Sequence, residues 1–289
     1  MKNQVESALR CSVQAMKRRL SGRQVVKVHQ TVRGGSILYL WQEMFFRDQR
    51  GTRAVITRTP AMEPWLEEFP LLRALTIHEQ EMNRFDAQLF MYPRRPGLDF
   101  TRAQNDQFCR ALIASSPSFR ARRNVLAEQV ADRTCVVNVR RGDYYSVPEN
   151  RARFGLDIEH HVAAALAMAN STGRPVDDII VISDDVAWCT EHLRSVVREL
   201  RVLENRNGMF DDLAALSLAH TLVLANSTFS YWGAFLAEAL NADTMVIAPP
   251  FHERDEKGEP IGLELAPHWT RTSPGEIRTD GAPGALGSG

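Results

Sequence analysis

Two kinds of hydrophobic spacing alternate along the chain. At 134–139 (TCVVNV), 178–183 (DIIVIS), 200–204 (LRVLE), 221–225 (TLVLA) and 244–249 (TMVIAP), Val, Ile and Leu recur with little polar alternation. That pattern predicts strands of a parallel sheet covered on both faces. Between them, 157–169, 185–197, 209–219 and 228–240 keep a helical period, and Asp157 stands where a cap belongs. The repeated βα units predict an open, doubly wound sheet over residues 131–269, with ligands beyond the carboxyl ends of its strands.

The first half carries a fainter version of the same pattern. A strand is predicted at 24–31, then a helix over 36–49 with Ile37, Leu38, Leu40, Trp41, Met44 and Phe45 on its apolar side. Gly51 stops that helix, and a strand follows at 52–57. Between Pro60 and Pro96 five prolines break regular structure; a short helical pair is expected at 61–75 and a short strand at 75–80. Helices are expected at 101–114 and 118–130, the second capped by Ser118. Residues 21–130 are thus read as a first Rossmann-like domain with linking helices. The opening 1–20 reads as an amphipathic helix, with Val5, Leu9, Val13, Met16 and Leu20 near one face. It suits packing on the protein, with peripheral membrane contact as the alternative. The Gly-, Pro- and Ser-rich 270–289 reads as a flexible tail.

Composition narrows the function classes. Of 289 residues, 35 are basic and 35 acidic, which argues against a broad nucleic-acid surface. The four cysteines, Cys11, Cys109, Cys135 and Cys189, are too far apart for a zinc-ligand pair, and their low number suits a reducing compartment. No run is long and apolar enough for a membrane span, so the expected location is the cytoplasm. The oligomeric state is left open.

Three polar clusters fall at predicted strand ends: Arg140-Arg141-Gly142-Asp143, Ser183-Asp184-Asp185 and Asn226-Ser227-Thr228, with Ser230 one step on. Paired guanidinium groups suit a phosphate, and Gly142 lets the backbone turn closely. A salt-bridged loop is the plainer alternative. Residues 226–230 open a helix, whose free amides favour an anion, or Ser227 and Thr228 simply cap it. Asp184 and Asp185 suit the hydroxyls or base of a nucleoside. A metal is the weaker option, because arginines already supply the positive charge and no third ligand stands nearby in sequence. Trp232, Phe229 and Phe235 read as core. In the first half, Gly34-Gly35 sits at a strand-to-helix turn. His29 and Glu43 are placed where they could face a cleft from the acceptor side.

VVNVRRGDYY, VISDDVAWC and LVLANSTFSYWGAFL resemble, in order and spacing, the three motifs of the bacterial and animal alpha-1,2-fucosyltransferases (glycosyltransferase family 11-like), over about 134–249. The resemblance implies an α/β, GT-B-like enzyme of two Rossmann-like domains with parallel sheets facing a cleft. It implies a metal-independent, inverting transfer of fucose from GDP-fucose to a sugar hydroxyl, in alpha-1,2 linkage to galactose, with no cofactor and a glycan acceptor. Arg141 would then meet the donor diphosphate beside Arg140, with 226–230 in the donor pocket. The general base is assigned first to Asp143, with His29 and Glu43 as rivals. The sequence departs from the family in two places: Asn138 stands where a histidine is usual, and 34–41 lacks the Gly-Asn-Gln core. Two alternatives follow, a transferase for another nucleotide sugar and a non-catalytic nucleotide-sugar or glycan-binding protein on the same fold.

Overall fold

The computed structural model describes residues 23–89, 99–176, 178–197 and 199–274, together with positions 13 and 16. The predicted amphipathic helix at 1–20 therefore lies outside the described residues except for Val13 and Met16, both exposed.

Strand β1 (Arg23–Val26) is shorter than the sequence pattern suggests. Beyond Val26 the chain leaves the sheet: the Val28 amide bonds the Thr57 hydroxyl, and Val32 closes a turn onto His29. Helix α1 (Gly35–Gln49) returns to β2 (Arg53–Thr57). The proline-rich stretch folds as 3-10 turns around α2 (Glu63–Glu68), each opened by a proline that needs no amide partner there. It ends in β3 (Thr76–Ile77), and β4 (Ala87–Leu89) follows. Their order is β3-β2-β1-β4, all pairs parallel.

Helices α3 (Arg102–Ser115) and α4 (Pro117–Leu126) come next. Thr101 and Gln104 form a reciprocal capping box on α3. Ser116 caps α4, rather than Ser118, because Pro117 fits the first helical position and moves the start back.

The larger sheet holds β5 (Thr134–Val139), β6 (Asp178–Ser183), β7 (Leu200–Val202), β8 (Thr221–Val223) and β9 (Met245–Ala248). A small antiparallel pair, β10 (Glu253–Arg254) and β11 (Pro260–Ile261), precedes β12 (Thr270–Arg271). The order β12-β9-β8-β5-β6-β7 is parallel throughout. Read from β7, the strands follow the doubly wound order 3-2-1-4-5-6. The expected α/β architecture of two parallel sheets is therefore present. The start of the predicted tail is corrected: Thr270 and Arg271 pair with Ile247 and Ala248, and Thr272 is buried.

Helices α5 (Gly142–Ser146), α6 (Pro148–Phe154), α7 (Ile158–Ser171), α8 (Val186–His192), α9 (Met209–Leu218) and α10 (Thr228–Leu240) join these strands. Helix α10 is apolar on nearly every side and packs on α1, α3 and α9. Its Trp232 is fully buried and donates from Nε1 to the Gly35 carbonyl at 2.8 Å. One apolar core therefore runs from beneath the first sheet to beneath the second.

Candidate active site

Strand order decides where the polar clusters meet. Successive connections leave β5 toward β6 on one side and, after β7, return to β8 on the other. The carboxyl ends of β5, β6 and β8 thus flank a topological switch point, the usual place for a ligand in such a sheet. The three predicted clusters follow those three strands.

Direct contacts tie the first two clusters together. Asp184 accepts the Arg141 amide on Oδ1 at 2.8 Å and meets Arg140 Nη1 with Oδ2 at 2.8 Å. Arg140 also bonds Asp143. A side chain at position 142 would collide with the Asp184 carboxylate, so glycine there makes room for this bridge. Asp185 caps α8 by accepting the Trp188 amide at 3.1 Å and takes Arg141 Nε at 3.0 Å. The Trp188 amide, and after it the Arg141 side chain, hold the Asp185 carboxyl below the usual range. The two aspartates are thus committed to the arginines and the local backbone. No group of three potential metal ligands occurs among the described residues.

Arg141 is also gripped by rings. Its guanidinium carbon lies 3.9 Å from the Trp188 ring centre and 4.5 Å from that of Tyr145. His192 stacks on Trp188 at 4.5 Å and 15°. Both aromatic partners stand four residues past a motif residue, Tyr145 after Arg141 and Trp188 after Asp184, one helical turn away in α5 and α8. Because Asp185 takes Nε, the terminal amino pair of Arg141 has no hydrogen-bond partner among the described residues. It borders a pocket of about 610 Å³, which Trp188, Tyr145, Arg151 and Arg254 also line.

The third cluster is joined through α6. Tyr144 stacks on Phe154 at 4.4 Å, and buried Asn226 donates to the Phe154 carbonyl at 2.7 Å and the His252 carbonyl at 3.0 Å. Ser230 is buried, and its hydroxyl takes the Ala225 amide. Asn226 and Ser230 therefore brace the turn. Ser227 makes no side-chain cap bond, and Thr228 meets Ser36 across the first turn of α10 at 3.4 Å. Asn138, in the place of the family's histidine, bonds the Ile182 carbonyl and ties β5 to β6.

The first half of the chain comes to the same place by way of Gly34 and Gly35. Gly34 has φ 56° and ψ −140°, open to glycine and strained for other residues. A Cβ on Gly35 would stand 2.5 Å from the Thr228 carbonyl carbon and 2.7 Å from the Phe229 amide. Here the glycine pair is an inter-element contact, more than a tight turn. His29 is exposed in the β1–α1 loop, bonded to Thr31 rather than ending the strand. Glu43 is not brought to the switch point. It is buried in α1 and accepts Arg47 Nε at 2.6 Å; Arg47 in turn bonds Gln24 at the opposite end of β1. Trp232 and Phe235 are core, as expected.

A family model described as glycosyl transferase family 11 matches residues 106–270, more than half of the chain and all three clusters. The chain belongs to glycosyl transferase family 11. Over 125 residues this family member is 32% identical to an alpha-1,2-colitosyltransferase of Escherichia coli, covering 42% of the chain and 41% of that protein. Over 119 residues it is 31% identical to the Escherichia coli O-antigen biosynthesis glycosyltransferase WbnK, covering 40% and 38%. The matched stretches span about two fifths of these relatives' length. Among solved structures, it is similar to POFUT1 in complex with GDP-fucose, with 16% identity, 78% and 73% coverage and a TM-score of 0.40. It is also similar to the fucosyltransferase NodZ from Bradyrhizobium, with 13% identity, 74% and 93% coverage and a TM-score of 0.38.

Proposed function

We propose that the protein is an inverting glycosyltransferase that moves fucose from GDP-fucose to a sugar hydroxyl without a metal ion. The supporting observation is the fixed Arg141 guanidinium, held by Asp185, Trp188 and Tyr145 at the edge of the pocket. When an acceptor hydroxyl attacks the anomeric carbon, the bond to the diphosphate breaks and negative charge grows on the leaving oxygen. A pre-positioned guanidinium stabilises that charge more in the transition state than in the ground state. The family name and the alpha-1,2 linkage in the name of one relative support transfer to a sugar hydroxyl. Asp143 remains the assigned base: its Oδ1 accepts Arg140, which leaves Oδ2 to take the proton.

The same relative's name, a colitosyltransferase, favours a second reading, transfer of a sugar other than fucose through the same site. A donor panel separates them. GDP release from GDP-fucose in excess chelator, with a galactoside acceptor, supports the fucose assignment. Turnover of UDP-sugars alone overturns it. GDP binding with no release under any acceptor favours the non-catalytic alternative.

A further inference from the structure

Two more guanidinium groups line the Arg141 pocket, Arg151 from α6 and Arg254 from β10. Neither has a carboxylate partner among the described residues. Their neighbours do: Arg153 pairs with Glu253 at 2.6 Å, and Arg140 with Asp143 and Asp184. Each unpaired arginine lies over an aromatic ring instead, Arg254 4.0 Å from the centre of Phe251 and Arg151 6.0 Å from that of Tyr145. Tyr145 therefore carries Arg141 and Arg151 on one ring. Three positive side chains from three chain segments border one cavity, and only Arg141 has a carboxylate. These like charges repel, and no carboxylate among the described residues pairs with Arg151 or Arg254 to offset them, so an anion bridging the three is favoured. Asp157 and Glu159 also line the cavity, acceptors suited to the hydroxyls of a sugar or ribose. A volume of about 610 Å³ lies within the roughly 300–1,000 Å³ of small-molecule sites.

We infer that Arg151 and Arg254 complete, with Arg141, a three-guanidinium cradle for the diphosphate of the nucleotide donor. This rests on the nucleotide-sugar reading of the site. Arg141 meets the leaving phosphate from the switch point, and the other two reach the diphosphate from α6 and β10. They neutralise diphosphate charge that a metal ion would otherwise neutralise.

The test is calorimetric binding of GDP, GMP and guanosine to the full chain, at low and moderate salt, for the wild type, Arg151→Gln and Arg254→Gln. Each substitution should weaken GDP about tenfold, as expected for one charge-assisted contact. GMP should be weakened less and guanosine left unchanged. The loss should shrink as salt rises. Arg151 is exposed and Arg254 half-buried, so thermal midpoints should match the wild type and separate a binding loss from misfolding. Either variant binding GDP within twofold of the wild type overturns the cradle. An equal loss for guanosine also overturns it, because that would place the arginine at the nucleoside. A wild type that binds no nucleoside diphosphate instead overturns the donor reading on which the cradle rests.

Discussion

Lowering the pH from 7 to 5 should destabilise this protein through two histidines that the fold keeps neutral. His161 is buried in α7, bonded to the Thr272 hydroxyl and the Leu224 carbonyl, so it ties α7 to the ends of β8 and β12. His252 is buried against the Tyr231 hydroxyl. Burial lowers each from 6.5 to about 4. Unfolded, both rings protonate below about 6.5; folded, they stay neutral to about 4. The unfolded chain therefore binds more protons in that window, and stability is lost as the pH falls. Between pH 7 and 5 the difference amounts to about 2 kcal/mol per ring, or about 4 kcal/mol for both. Asp212 and Glu264, whose carboxyls burial holds above the usual range, act in the opposite sense. A paired comparison removes their contribution. Urea unfolding at pH 7, 6 and 5 should show that His161→Gln loses about 2 kcal/mol less than the wild type across the range. Parallel stability curves for the two proteins would refute the assignment. An NMR titration in which His161 protonates near pH 6.5 would refute it as well, without any variant.

Three further outcomes follow from the site geometry. Gly35→Ala places a methyl group against the α10 backbone and should cost about 1–3 kcal/mol in urea unfolding, whereas a change below ~0.5 kcal/mol would deny the close approach. Trp188→Ala should weaken GDP binding by roughly tenfold, with Trp188→Phe restoring most of it, because the ring face holds the guanidinium; equal loss in both variants would contradict a stacking role. Asp143→Asn tests the base directly. Turnover lost by a hundredfold or more at normal GDP affinity supports it, and a loss under tenfold reduces Asp143 to a brace for Arg140.

How much of this was legible in the sequence depended on the range of the forces involved. The central strands β5 and β6 of the larger sheet are apolar on both faces and announce themselves at 134–139 and 178–183, where the observed bounds match. Position at a strand end then located all three polar clusters. The first sheet was harder to read. β1 stops at Val26, and two residues on the Val28 amide turns to the Thr57 hydroxyl, a tertiary choice that no local pattern encodes. β4 at 87–89 is three residues long and gives almost no periodic signal. Glu43 was misplaced for a related reason: helical period gives a face, but not which end of the strand that face reaches, and Arg47 with Gln24 settles it. The aromatic grip on Arg141 had a visible clue in the four-residue spacing of Tyr145 and Trp188 from the motif residues. Its meaning needed α5 and α8 to be known as helices. Arg254 lies 113 positions beyond Arg141, and only the fold brings it to the pocket.

On the proposed mechanism, Arg141 receives the donor diphosphate as a planar, pre-aligned guanidinium. Steady-state transfer from GDP-fucose by the wild type and Arg141→Lys, in excess chelator, tests it most directly. Lysine keeps the charge but loses the Asp185 bond through Nε, the stack between Tyr145 and Trp188, and the paired donors. The expected result is a kcat/KM lower by roughly a hundredfold or more, with the fold intact. Turnover by the lysine variant within a few-fold of the wild type would contradict the claim.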